Sequence, residues 1–344
     1  MRSLTSLDIY FLVQELQVLV NSKVDKISQL DYKDFLFSFH KPSFGKIILR
    51  VTPNILNIST KKESSSLPNP FIMQLRKYLT SSFLISITQK EFERIIELKL
   101  RKDKEYTLII EMFGKGNIIL VLEGKIISCL ESQSFSARKV APHETYSYPP
   151  SRFNILSLTF KDFKDLVNSS DKESIVKILA IDFSFGGIYS EEILSPLSIK
   201  KDKKILNDSE LKGLYERINQ ILKKQLSPVL INNDPFPFNL GSLVGEKVEY
   251  DSFSLALDSF TSTKAKTSFD KRLKQVIELK EIQINKIKEL EEESIQFKEI
   301  GDLIYNNYSL IDNLIKQIKE TKWKYNDDII KEKNAKESKV VIEL

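Results

Sequence analysis

Apolar positions along this chain recur in two periods, and the switches between them predict its elements. Residues 6–20 place Leu7, Tyr10, Phe11, Val13, Leu16, Val18 and Leu19 at helical spacing behind Ser6, an N-cap candidate. Asp8 falls in the first turn, where the helix dipole favours an acid. Strands follow at 23–30, 34–40, 46–52 and 55–59, separated by turn residues at Asp31-Tyr32, between Pro42 and Gly45, and at Pro53-Asn54. A polar Ser/Pro loop occupies 61–70. Pro70 then opens a helix over 71–80 whose stripe is Phe71, Ile72, Leu75 and Leu79. Arg76 and Lys77 lie off that stripe, facing solvent or a phosphate.

The chain is organised around residues 89–122. Apolar runs at 94–100 and 106–113 flank a charged turn at 102–104. Gly114-Lys115-Gly116-Asn117 then leads into a third run at 118–122, and 125–130 adds another. This pattern predicts an antiparallel meander. Its nearly continuous apolar character implies strands covered on both faces, with helices over at least one. Glu93 and Arg94 sit together at the mouth of the first strand, where they serve either solubility or function.

A Pro-rich stretch at 141–150 marks the first domain boundary. Short helices are expected at 162–167, 172–181, 189–194 and 209–225, with an irregular Phe236-Pro237-Phe238. A short helix at 252–259 precedes a long one at 268–297, carrying Leu273, Ile277, Ile284, Ile287 and Leu290 on one side, with Lys280 interrupting the seam. That stripe is coiled-coil-like. A second amphipathic helix at 300–318 and a strand at 339–344 complete the chain. An apolar strand at the very end suggests a fragment of a longer chain.

Composition narrows the function classes. The chain has 344 residues, 41% hydrophobic, and no apolar run long enough to span a membrane. Nor does its N-terminus read as a signal peptide. A single cysteine, Cys129, excludes an internal disulfide, and with two histidines it excludes a Cys-rich zinc site. A reducing, cytoplasmic home fits, with no metal and no cofactor. Charge is uneven. Residues 1–150 hold 21 Lys and Arg against 15 Asp and Glu, so the whole basic excess lies there and favours an anionic partner such as nucleic acid.

Catalytic signatures are missing: no phosphate loop, nucleophile elbow or metal motif occurs. Gly114-Lys115-Gly116 precedes a strand, which makes it a hairpin turn. Gly186-Gly187 opens a helix and presents backbone N–H groups at its positive end, a geometry that takes phosphate. The Gly186-Gly187-Ile188-Tyr189-Ser190-Glu191-Glu192-Ile193-Leu194 segment resembles the helix–two-turn–helix module of formamidopyrimidine-DNA glycosylases and endonuclease VIII. Gly187 stands where that family has Asn. The start Met1-Arg2-Ser3 lacks the nucleophilic Pro, and the zinc-finger cysteines are missing.

A wider resemblance runs through the chain. It is carried by Ser6-Leu7-Asp8; Pro70-Phe71 with Leu75-Arg76-Lys77-Tyr78-Leu79; Gln89 with Glu93-Arg94-Ile95; and Glu111 with Gly114-x-Gly116-Asn117-Ile118-Ile119-Leu120. Tyr146 with Pro149-Pro150 and the Gly-Gly-x-Tyr-x-x-Glu module extend it. On these residues the chain resembles the NEMF/RqcH (NFACT) family of ribosome quality-control factors, formerly described as fibronectin-binding-like.

The resemblance implies an α+β fold. Residues 1–150 form an antiparallel-sheet domain with helices on a glycosylase-like scaffold, and 151–245 a helix–two-turn–helix domain. Residues 246–298 form a linker helix and first coiled-coil arm, and 299–344 a truncated helical middle domain. It implies a non-enzymatic factor that binds large ribosomal subunits carrying stalled peptidyl-tRNA. Such a factor recruits tRNA, alanyl-tRNA in the bacterial and archaeal pattern, for template-free C-terminal tailing. The family's acid and acid–Arg pair map onto Asp8, Glu93 and Arg94 as tRNA-binding residues, with Glu93 where Asp is usual. Arg76, Lys77, Lys115, Gly186 and Gly187 are the expected RNA backbone contacts. A glycosylase-like enzyme on nucleic acid and an adhesin-like protein-binding module remain the alternatives.

Overall fold

The computed structural model describes residues 2–61, 68–150 and 153–343, with backbone alone at 261–275 and 278. Two compact units emerge, Met1–Lys264 and Ala265–Leu344. The expected loop at 61–70 lies mostly outside the described residues, and so does the Leu273 side chain.

The first unit opens with α1 (Ser6–Leu16). Its N-cap is Thr5, one residue before the expected Ser6. Thr5 accepts from the Asp8 backbone N–H while the Asp8 carboxylate accepts from the Thr5 N–H, a closed capping box. Four strands follow: β1 (Lys23–Asp31), β2 (Asp34–Lys41), β3 (Gly45–Val51) and β4 (Leu56–Ile58). Helix α2 (Pro70–Leu79) starts where Asn69 accepts from the Ile72 N–H, with Pro70 in the first turn. Next come β5 (Phe83–Gln89), β6 (Ile95–Arg101), β7 (Glu105–Glu111), β8 (Asn117–Leu122) and β9 (Lys125–Cys129), then a short hairpin of β10 (Gln133–Ser134) and β11 (Lys139–Val140).

Strands β1–β9 form one antiparallel sheet in the order β4-β3-β2-β1-β5-β6-β7-β8-β9. Its halves meet at β1 and β5, where Lys23 pairs with Phe83. Strand β5 is absent from the sequence expectation. Its alternation, Phe-Leu-Ile-Ser-Ile-Thr-Gln, is diluted by polar residues, and a bulge between Leu84 and Ser86 breaks the period.

One face of the sheet builds the main core. Phe35, Phe37 and Phe39 of β2 and Ile96, Leu98 and Leu100 of β6 belong to it, with Ile9, Leu12 and Leu16 of α1 and the apolar stripe of α2, whereas Leu7 and Phe11 of α1 turn to the second, helical core. The other face of β6–β9 is also covered. Ile95, Ile109, Ile119, Val121 and Ile126 pack with Val140 against Phe113 and Tyr146. Both faces are thus buried in the meander, with helices on one side and the 131–148 segment on the other.

A second core gathers α3 (Phe160–Ser169), α4 (Ile175–Lys177) with its continuation through Asp182, α5 (Gly186–Leu194) and α6 (Asp208–Leu222). A small sheet joins it, built from β12 (Val229–Ile231), β13 (Asp234–Phe236) and β14 (Lys247–Glu249) in the order β13-β12-β14. Pro235 sits on an edge strand, where its missing N–H is tolerated.

Helix α7 runs continuously over Phe253–Asn306, so the expected helices at 252–259 and 268–297 are one. No Gly or Pro occurs from Glu246 to Ile300 to break it. Its first turn is fixed to the first unit. The Glu15 carboxylate accepts from the Phe253 and Ser254 N–H groups at 2.6 and 3.0 Å. Asp258, buried, accepts from Ser59 Oγ, the Thr60 N–H and Thr60 Oγ1. In the second unit, α8 (Tyr308–Glu320) buries Leu314 and Ile318, and β15 (Ile330–Asn334) pairs with β16 (Lys339–Ile342). The expected helix at 300–318 is interrupted at Asn307, the residue between α7 and α8. Among the described residues, no helix is long and apolar enough to cross a membrane.

Candidate functional site

Five separate stretches of chain enclose a cleft of about 490 Å3. Ser3, Leu4 and Thr5 come from the segment before α1. Glu93 and Arg94 come from the β5–β6 turn, and Phe113 and Gly114 from the β7–β8 turn. Pro149 and Pro150 end the covering segment, while Ala180, Ser184 and Gly186 lead into α5. The cleft therefore lies where the sheet meets the helical core, and it brings Glu93, Arg94 and Gly186 onto one concave surface.

The turn bearing Glu93 and Arg94 is held on several sides. The Glu93 N–H donates to the Lys90 carbonyl, and the Lys90 N–H to the Ile95 carbonyl. Gln89 Nε2 donates to both the Glu93 and Ser6 carbonyls at 2.9 Å, tying the turn to the start of α1. The Met112 N–H donates to the Arg94 carbonyl at 2.8 Å. Between the two charged residues and Glu91, Phe92 is buried against Phe185, with ring centroids 5.2 Å apart. An apolar anchor thus holds the backbone while Glu93 and Arg94 stay half-buried at the surface.

Asp8 lies beneath this cleft, fully buried. Its carboxylate receives both Arg2 guanidinium nitrogens at 2.7 Å, the Thr5 N–H and hydroxyl, and the Tyr189 hydroxyl at 2.5 Å. Arg2 also donates to the Pro235 carbonyl and lies over the Phe236 ring, 4.2 Å from its centroid. Burial works against the Arg2 charge, yet Asp8 and Tyr189 outweigh it and hold the guanidinium more firmly protonated than usual. Burial, with the Asp8 charge beside it, pushes the Tyr189 hydroxyl well above its ordinary range, so it stays a donor. Arg2 and Tyr189 escaped the sequence reading of the site. Tyr189 was visible only as part of the Gly-Gly-x-Tyr-x-x-Glu pattern, and its partner is 181 residues away. The Glu of that pattern, Glu192, is equally committed, accepting from the Ser242 N–H at 2.8 Å with Arg217 at 3.5 Å.

A second buried pair supports the cleft from the sheet side. Glu111 at the end of β7 is gripped by both Arg138 guanidinium nitrogens and by the Tyr146 hydroxyl at 2.8 Å. Arg138 also donates to the Ser147 carbonyl at 3.0 Å. Burial and the Glu111 charge raise the Tyr146 hydroxyl pKa far above normal. This cluster fastens residues 138–147 to the sheet just before Pro149 and Pro150 reach the cleft. Neither Arg138 nor its pairing with Glu111 carries a local sequence signal.

At the helix start, Gly186 has φ +74°, and a Cβ there would fall 2.8 Å from Thr5 Cγ2. Glycine is required by both conformation and space. No side-chain cap closes the α5 N-terminus among the described residues. Lys115 is exposed in the β7–β8 turn beside Gly114, and Gly187 is exposed next to the half-buried Gly186. The two remaining expected contacts lie elsewhere. Arg76 Nε donates to the Ile27 carbonyl at 2.8 Å. Lys77 lies over Tyr78 and lines a different cavity, of about 930 Å3, with Cys129 and His143. Among the described residues, no cluster of three or more His, Cys, Asp or Glu could hold a metal.

The chain matches the family of NFACT N-terminal and middle domains over residues 5–344. It is 30% identical over 352 residues to the archaeal Rqc2 homolog aRqcH of Methanocaldococcus jannaschii, covering 93% of this chain and 52% of that protein. It is 30% identical over 335 residues to the Rqc2 homolog RqcH of Streptococcus pneumoniae, covering 86% of this chain and 56% of that protein. The human ribosome quality control complex subunit NEMF is 25% identical over 363 residues, covering 92% of this chain and 34% of that protein. The chain thus spans about half the length, or less, of these curated relatives.

Among solved structures, the fibrinogen binding protein of Staphylococcus aureus aligns with TM-score 0.63 at 26% identity, over 74% of this chain and 98% of that one. The N-terminal part of the fibronectin/fibrinogen-binding protein of Streptococcus suis aligns with TM-score 0.64 at 22% identity, over 76% and 100%, and shares the fold. With residues 5–344 matched, the chain belongs to the family of NFACT N-terminal and middle domains.

Proposed function

We propose that this chain is the tRNA- and ribosome-engaging part of a cytoplasmic ribosome quality-control factor. It binds large subunits that carry stalled peptidyl-tRNA and recruits tRNA, alanyl-tRNA in the first instance, for template-free tailing of the nascent chain. The observation that carries this reading is the convergence of Glu93, Arg94 and the open start of α5 on one cleft, in a chain 30% identical to an archaeal Rqc2 homolog.

The chemistry asked of the cleft is recognition. Arg94 offers a planar fork of donors suited to phosphate or a base edge. The first N–H groups of α5 offer a positive helix end to a phosphate, and Lys115 adds salt-sensitive attraction. Glu93 accepts from a ribose or base donor. Asp8 acts through Thr5, setting the cleft wall from below. Peptide-bond formation then belongs to the ribosome, and this chain acts as a non-enzymatic factor.

The test is tRNA binding by Arg94→Ala at moderate salt, with circular dichroism as the check on folding. A clear loss of affinity is expected, and unchanged affinity in a folded variant removes the assignment. The name of the S. aureus neighbour favours a second reading, a protein-binding module. Co-sedimentation with ribosomal subunits separates the two.

A further inference from the structure

A row of cations and aromatic rings crosses the sheet away from the cleft. Strand register sets it: Lys46 pairs with His40, His40 with Lys23, Lys23 with Phe83, and Phe83 with Arg101. Register partners in an antiparallel sheet project from the same face. Here that face is the one turned from the main core, because the next residues, Phe39, Val24, Leu84 and Leu100, all belong to that core. All five residues of the row are exposed. Across four strand steps of roughly 4.8 Å, the row runs about 19 Å along the sheet.

Phe83 is the unusual member. It is 50% exposed on a strand, directly between Lys23 and Arg101, and its register pair with Lys23 lies at the junction of the two half-sheets. At the far end, Phe44 in the β2–β3 turn is 61% exposed, with Lys41 Nζ 5.3 Å from its ring centroid. Arg101 carries a surface ion pair to Glu105 at 3.0 Å, the kind of contact that contributes little and exchanges readily for a phosphate. Lys102 and Lys104 extend the positive edge through the next turn, with Asp103 between them.

We propose that this row is a second RNA-contact surface, which takes a single-stranded segment by stacking a base on Phe83 between phosphates held by Lys23 and Arg101. An exposed ring flanked by cations suits alternating bases and phosphates. An acidic peptide would use the cations and leave the ring idle. The choice of RNA among nucleic acids rests on the ribosomal reading above.

The experiment uses the full chain and a short, unstructured, fluorescein-labelled RNA of mixed sequence, titrated over a range of salt. Phe83→Ala is expected to weaken binding about tenfold at every salt, while Phe83→Trp retains it. Lys23→Ala and Arg101→Ala should each weaken binding and lower the salt slope by about one. Ultraviolet crosslinking should place the attached nucleotide on the peptide containing Phe83. Unchanged affinity in folded Phe83→Ala and Lys23→Ala overturns the proposal. Displacement of the RNA by polyglutamate, with Phe83→Ala without effect, assigns the row to an acidic protein and overturns it too. Arg94→Ala is measured in parallel with folded tRNA. Loss with Phe83→Ala alone keeps the row and removes the cleft assignment, and loss with Arg94→Ala alone does the reverse.

Discussion

Glu111 and Arg138 meet in a two-pronged ion pair at 2.6 and 2.8 Å, with 2% and 4% of their side chains exposed. Glu111 pairs in register with Ile95, one residue from Arg94, so the pair anchors the cleft wall. Removing one partner leaves a buried charge stranded. Arg138→Ala is expected to cost about 3–5 kcal/mol by chemical denaturation. Adding Glu111→Leu to the same chain should recover much of that loss.

The Asp8 cluster yields a graded series. Tyr189→Phe removes one hydrogen bond to a charged group and should cost about 1.5–3 kcal/mol. Asp8→Ala strands the Arg2 guanidinium and opens the capping box together, so its loss should be clearly larger. Thermal melts of the two variants rank them, and equal losses would contradict the arrangement.

Asp258 gives the root of α7 a defined pH dependence. Burial pushes its pKa up, but the hydrogen bonds from Ser59, Thr60 and Asn57 outweigh this and leave it below the ordinary carboxylate value. A depressed folded-state pKa contributes stability above the unfolded value of about 3.9. That contribution disappears as pH falls through the folded pKa. Asp258→Asn should therefore flatten the loss of stability at pH below about 4, as measured by urea denaturation at stepped pH. An acid limb identical to that of the parent chain would count against the assignment.

Two glycines with similar backbone should respond differently. Gly116 has φ +69°, and a Cβ there would lie 2.5 Å from both Cβ and the carbonyl oxygen of Pro53. Gly124 has φ +77° and open space. Gly124→Ala should cost about 1–2 kcal/mol of conformational strain. Gly116→Ala should cost more, because backbone must move.

Much of the architecture was legible in the sequence because it is local. The hairpin at Gly114–Asn117 announced itself through turn residues between apolar runs, and α1 through its stripe and its first-turn acid. Even the one-residue error in its cap came from two adjacent hydroxyls, Thr5 and Ser6. Closure of the box by Asp8 decides for Thr5. What escaped is non-local. Strand β5 is defined less by its own pattern than by the neighbours it pairs with. The commitment of Asp8 to Arg2 and Tyr189, and of Glu111 to Arg138, depends on chain reversals that no spacing rule records. Glu93 and Arg94 stood out by their place at a strand mouth, but the walls around them come from five stretches.

That assembly has a temporal consequence. The Arg2 guanidinium reaches the carbonyl of Pro235, 233 residues on, and Thr5 closes against Gly186. Contacts of such long sequence separation are late and slow to form. As the chain emerges from N- to C-terminus, its first helix must wait for Tyr189 before its buried acid is fully satisfied, and Arg2 must wait for the small sheet near residue 235. A nascent chain that stops short of Gly186 has Glu93 and Arg94 but lacks one of the five stretches that line the cleft, so the recognition proposed above becomes possible only after that stretch has been made.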